Sequence, residues 1–210
     1  MSAQQQQQQQ QQQEDQPHIA WDARIDLLLA EWCDNAKCFE WMHSESHSIY
    51  DKFSKRFMIV TNCLTAVAGL GNVISGGTRI DGFELAWLFG SISIFVSTMN
   101  ILQDKLGYQQ RSIIHQGIAS DWSIITTKIQ EILTIPYSAR KDCKTFLKYL
   151  KADMNKASLE GNSMIPKHVR EACYNKFKDV EGFNIPDICG EMEHTKVSHW
   201  TTDESKQPLV

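Results

Sequence analysis

Proline is scarce in this 210-residue chain, and none of its five prolines falls between positions 17 and 136. Nothing in that stretch obliges a helix to end, because proline is the residue that removes a helical N–H and clashes with the preceding turn. An excess of positive charge is also missing: 21 Lys and Arg stand against 25 Asp and Glu, for a formal net charge of −4. A general nucleic-acid binder needs the opposite balance, so no nucleic-acid partner is expected. Paired cysteines are missing too. Cys33, Cys38, Cys63, Cys143, Cys173 and Cys189 form no CxxC, and no secretory leader is recognisable ahead of them. They read as reduced packing thiols rather than a disulfide framework or a zinc site.

Catalytic signatures are absent as well. Gly69-x-Gly71 is not followed by glycine at position 74, and no GxxxxGK[ST], HExxH or GxSxG occurs. The expectation is a protein that is not an enzyme, with no cofactor and no metal.

What is present divides into three unlike parts. Ten consecutive glutamines occupy positions 4–13. Such a polar tract cannot bury enough surface to offset its ordering entropy, so residues 1–18 read as a disordered Gln-rich tail. At the other end, 179–210 carries seven acidic residues against Lys196 and Lys206, and reads as a largely disordered acidic tail anchored at Ile185-Pro186-Asp187-Ile188. Residues 19–178 are left as the folded domain.

The middle of that domain holds two uncharged stretches, Phe57–Thr78 with 22 residues and Leu85–Gln103 with 19. A helix needs about 20 predominantly apolar residues to cross a hydrocarbon core of about 30 Å. A buried hairpin of a soluble bundle is the competing reading, but soluble helices seldom run so far without a charge on an exposed face. The expected fold is therefore all-α: a membrane protein with two transmembrane helices in a hairpin, spans about 57–76 and 84–103. The connector Ser75-Gly76-Gly77-Thr78-Arg79-Ile80-Asp81-Gly82-Phe83 is short and glycine-rich, so the spans are expected to be antiparallel neighbours. Lys52, Lys55, Arg56, Lys105 and Arg111 flank the spans, while the connector has only Arg79. By the positive-inside rule both termini lie in the cytosol.

Beyond the spans the helical pattern continues. Trp32, Ala36, Phe39, His43, Ser46, Tyr50, Phe53 and Phe57 recur in steps of four and three, and Arg111, His115, Ile118, Trp122, Ile125, Ile129 and Ile132 do likewise. Two long antiparallel helices projecting into the cytosol are expected, with one or two short C-terminal helices after Pro136. At 1.5 Å per residue, His43 lies about 21 Å before the first span and His115 about 20 Å after the second. The two histidines are expected at similar depth and facing each other. They read either as hydrogen-bonded interface residues or as a pH- or ligand-sensitive constriction.

Within the spans, Thr61, Thr65, Ala68 and Asn72 continue the first seam, and Gly90, Ser93, Ser97 and Asn100 share a face of the second. Small and polar residues in lipid mark helix packing or, in an oligomer, a water-filled path. Arg140, Lys141, Lys144, Lys148 and Lys151 form a basic segment that suits anionic lipid, an acidic ligand, or simply a solvated helix face.

The run Ala30-Glu31-Trp32-x-x-x-Ala36-x-x-Phe39-x-Trp41-Met42-His43, followed by two spans, resembles the N-terminal signature of the SLATT family, the SMODS- and SLOG-associating two-transmembrane effectors. The resemblance is closest to versions in large DNA viruses and covers about 150 residues, Asp26 to Phe177. It implies oligomerisation, membrane perturbation or pore formation, and a nucleotide-signalling partner protein; no catalytic residues carry over. Two functions follow as expectations: a self-associating pore-forming effector, or a non-conducting scaffold of a viral or cellular membrane with a cytosolic docking stalk.

Overall fold

A computed structural model describes residues 19–74, 79–80, 83–161 and 164–190. The glutamine tract and positions 191–210 lie outside the described residues. Ala23–Ile74 is a single helix of 52 residues, α1, about 78 Å long at 1.5 Å per residue. Asp22 opens it: its carboxylate accepts the Ile25 N–H at 2.9 Å, satisfying a donor that the first turn leaves orphaned. A two-residue antiparallel ladder follows, β1 (Arg79–Ile80) on β2 (Phe83–Glu84), with Arg79 opposite Glu84 and Ile80 opposite Phe83. Every other described element is helical.

The return arm has two segments, α2 (Leu85–Leu106) and α3 (Tyr108–Thr134). Phe89 meets Gly71, Tyr108 meets Tyr50, Ser112 meets His47, and Trp122 meets Phe39. Partners on α1 step backward as those on the return arm step forward, so the arms run antiparallel. The sequence pattern suggests an unbroken return helix, and this is corrected by Gly107, whose φ of 61° is left-handed. Without a Cβ, glycine takes that conformation at no steric penalty, so a break is possible with no proline present. The hydrogen bonds from Gly107 N to Gln103 O and from Arg111 N to Gly107 O carry the ladder across the break. Ile135, just before Pro136, is extended and ends α3, as the ring of a following proline demands.

Two side helices complete the distal half. α4 (Cys143–Gly161) packs Leu150 and Ala157 into a core made by Leu29, Cys33 and Ala36 of α1 with Ile118, Trp122, Ile125 and Ile129 of α3. α5 (Lys167–Phe177) places Val169 and Cys173 against Cys38 and Met42, which lie on another face of α1. The chain stays packed past residue 178. Phe183 stacks on Phe177 with centroids 5.0 Å apart, and Ile185, Ile188 and Cys189 join the second core.

Both cores lie outside the uncharged stretches. Within 57–74 only Thr61, Ala68 and Gly71 are buried, and among the described side chains of α2 only Val96.

Candidate functional site

His43 on α1 and His115 on α3 meet at the point where the seam between the arms changes from apolar to polar. Their Nδ1 atoms are 2.8 Å apart, and both side chains are completely buried. In two neutral rings this distance is one N–H···N bond, with one Nδ1 protonated and the other accepting. The Tyr50 ring stacks on His115 at 5.5 Å, and Gly161, the last residue of α4, sits so close that a Cβ there would lie 2.8 Å from His43 Cε1. Burial pushes the His115 imidazole below its ordinary range, and the charges of His47 and Arg111 push the same way.

One turn toward the uncharged stretches a second polar contact appears. His47 Nδ1 lies 3.0 Å from the Ser112 carbonyl and 2.9 Å from Ser112 Oγ. A protonated Nδ1 donating to the carbonyl satisfies both groups, with the hydroxyl turned toward the His47 carbonyl at 3.5 Å. Sequence reasoning missed His47 and Ser112. The i, i+4 spacing of the two histidines and the i, i+3 spacing of Ser112 and His115 were the signals that could have found them.

Metal binding at this pair conflicts with its geometry. Two imidazole ligands at about 2.0 Å from a tetrahedral ion stand about 3.3 Å apart, wider than the 2.8 Å here. Among the described residues no group of three His, Cys, Asp or Glu side chains converges to hold an ion.

The seam residues are only partly where the spacing placed them. Thr61 is buried and Ser93 half-buried between the arms; Gly90 is half-buried but faces open space, since a Cβ there would meet nothing within 4 Å; Thr65, Asn72, Ser97 and Asn100 are exposed. The inner faces follow Thr61, Leu64, Ala68 and Gly71 against Phe89, Ser93 and Val96. Thr65, Asn72 and Ser97 each stand one residue past Leu64, Gly71 and Val96, and one residue turns a helix by about 100°, which carries them off the inner face. The hydroxyls are satisfied locally: Thr65 donates to Thr61 O at 2.8 Å and Ser97 to Ser93 O at 2.9 Å.

The basic segment is also corrected at one position. Arg140 is only 3% exposed and belongs to no surface patch. It pairs with Asp26, donates through Nε to the Ile135 carbonyl at 2.7 Å, and lies over the rings of Trp21 and Tyr137 at 4.9 and 4.6 Å. Lys141, Lys144, Lys148 and Lys151 are exposed. Cys38, Cys173 and Cys189 come together around Met42, with Cys189 Sγ 3.4 Å from Met42 Sδ, an assembly that no sequence spacing announces. Thiol contacts with Cys189, which lowers it, and with Cys38, which raises it, combine with burial to leave the Cys173 thiol at about 12.

No protein-family model, curated protein or solved structure matches the chain.

Proposed function

We propose that the chain is an integral membrane protein that crosses the bilayer twice, at about 57–76 and 84–103, and self-associates there as a pore-forming or membrane-perturbing effector of SLATT type. One observation carries the membrane reading. The apolar windows of the two arms are long enough to span a bilayer, yet only 17% of the first and 6% of the second are buried within the protein. A core helix of a soluble protein hides such a window. Here Val73, Ile74, Trp87 and Ile94 are each more than two-thirds exposed, and a water-soluble monomer rarely tolerates a contiguous apolar surface of this extent. Lipid is the solvent that suits it.

Self-association is supported by the outward amide of Asn100, since a polar group facing lipid gains from a neighbouring helix. The flanking cations favour both termini in the cytosol. In that orientation α4 leads away from the bilayer from Gly161 beside His43, so Lys151 stands about 15 Å beyond the histidines and about 36 Å from the span. That distance exceeds the Debye length of about 8 Å several-fold, so the lysines suit an acidic soluble ligand rather than headgroups. A nucleotide-signalling protein is the partner implied by the family resemblance.

A second reading, a non-conducting scaffold, is favoured by the local hydrogen bonds of Thr65 and Ser97. Hydroxyls satisfied within their own helix need no water. Extraction from membranes by carbonate would overturn the membrane reading altogether. Ion flux through liposomes holding the purified chain separates the two functions: flux that rises with protein density is expected of the effector, and sealed vesicles at high density leave the scaffold.

A further inference from the structure

The His43–His115 pair buries two imidazoles fully against each other, and its geometry restricts how many protons it can hold. Two neutral rings share one N–H···N bond across 2.8 Å. One added proton makes an imidazolium that can still donate to its neighbour. Two added protons put an N–H on each Nδ1, and two donors then point at each other across the same 2.8 Å. The doubly protonated pair cannot keep this arrangement.

At His115 the surroundings disfavour the first proton as well. From α1 the titratable neighbours are His47 and Tyr50, and from α3 Arg111. The charges that reach His115 are those of His47 and Arg111, both cationic when protonated, and no carboxylate is among them. On α4 the contact is made by Gly161, while the neighbouring Glu160 and Lys156 are exposed. Positive charge on His115 is therefore opposed by desolvation and by its neighbours together.

We propose that the His43–His115 pair is a proton-binding site, and that its occupancy sets whether the end of α4 stays seated on the two arms. The closed form is the neutral pair. Protonation drives the rings apart toward water, and Gly161, pressed against His43 and Ile118, loses its seat with them. The sign follows from linkage. The open form binds more protons than the closed form, so closure is favoured at higher pH and is lost as pH falls below the ordinary histidine range near 6.5. The site lies outside the uncharged stretches, and the proposal stands whether or not they enter a membrane.

The test uses the full chain in detergent micelles with 15N-labelled histidine, titrated from about pH 8 to about pH 5, the range of histidine chemistry. Imidazole nitrogen shifts report protonation, and amide exchange over 155–161, corrected for its intrinsic pH dependence, reports the seat of α4. Expected is joint titration of His43 and His115, with exchange rising about tenfold per pH unit for each linked proton as pH falls from about 6.5 toward the midpoint, and levelling off below it. The double variant His43→Gln/His115→Gln can keep a neutral hydrogen bond, and its exchange is expected to change less than about twofold over the same range. Independent titration of the two rings with unchanged exchange overturns the proposal, as does the same acid opening in the double variant. If that variant does not fold, the wild-type measurement decides alone, because joint protonation and unseating must share one midpoint.

Discussion

The Phe89 ring occupies the space that a Cβ on Gly71 would need, so α2 lays a ring directly on the bare α1 backbone at this point. Gly71→Ala must displace the ring. Overpacking of this kind is expected to destabilise the chain by about 1–3 kcal/mol, measured by thermal unfolding in micelles. Phe89→Leu in the Gly71→Ala background should recover part of the loss. An unchanged melting temperature for Gly71→Ala would show that the arms do not approach this closely.

Far from that contact, Asp26 and Arg140 clamp the other end of the arms. Arg140 is 3% exposed, so removing its carboxylate strands a buried cation; Asp26→Asn is expected to cost about 2–4 kcal/mol. Arg140→Lys should also destabilise, because an ammonium cannot both pair with the carboxylate and stack flat between Trp21 and Tyr137. Burial raises the Asp26 carboxyl, but the hydrogen bonds from Arg140 and Tyr137 outweigh it and hold the group below the usual carboxylate range. Its stabilisation is therefore present above the unfolded value near 3.9 and lost as pH falls through the lower folded value. Asp26→Asn should flatten the acid limb of the stability curve.

The pairing of His43 with His115 and the burial of Ile118, Trp122, Ile125 and Ile129 were legible because alternating steps of three and four track one helix face. The same arithmetic failed at Thr65 and Asn72, which stand one residue, or about 100° of helix, past the inner-face Leu64 and Gly71. Gly107 was illegible as a break because a lone glycine is compatible with a continuous helix, and only its positive φ distinguishes the two. Arg140 counted as surface charge because its partners, Asp26 and Trp21, are more than a hundred residues away in the chain. The thiol cluster has the same cause: Cys38, Cys173 and Cys189 meet only through the tertiary packing of α5 and the segment after it.

Cysteine reactivity separates the membrane reading from a soluble one. Cys33, Cys38, Cys143, Cys173 and Cys189 are buried, and Cys63 alone is exposed. On the membrane reading Cys63 faces hydrocarbon, where the thiol stays protonated and unreactive, so a charged maleimide is expected to leave the folded chain unlabelled until denaturation exposes that thiol. Mass spectrometry counts the adducts. Rapid labelling of Cys63 by the charged reagent in sealed vesicles would place residue 63 in water.

Two glycines on the return arm should respond in opposite directions to the same substitution. Gly107 has a φ of 61°, and Gly117 lies inside α3; a Cβ at either meets nothing within 4 Å. Space is therefore not the difference, and backbone conformation is. An alanine at 107 must adopt the left-handed region, at about 1–2 kcal/mol. At 117 it is already helical, and replacing glycine stabilises a helix interior by about 0.5–1 kcal/mol, partly through the unfolded chain. Gly107→Ala is accordingly expected to lower the melting temperature and Gly117→Ala to raise it. If both raise it, residue 107 is helical, and the return arm runs unbroken from the first uncharged turn to Pro136.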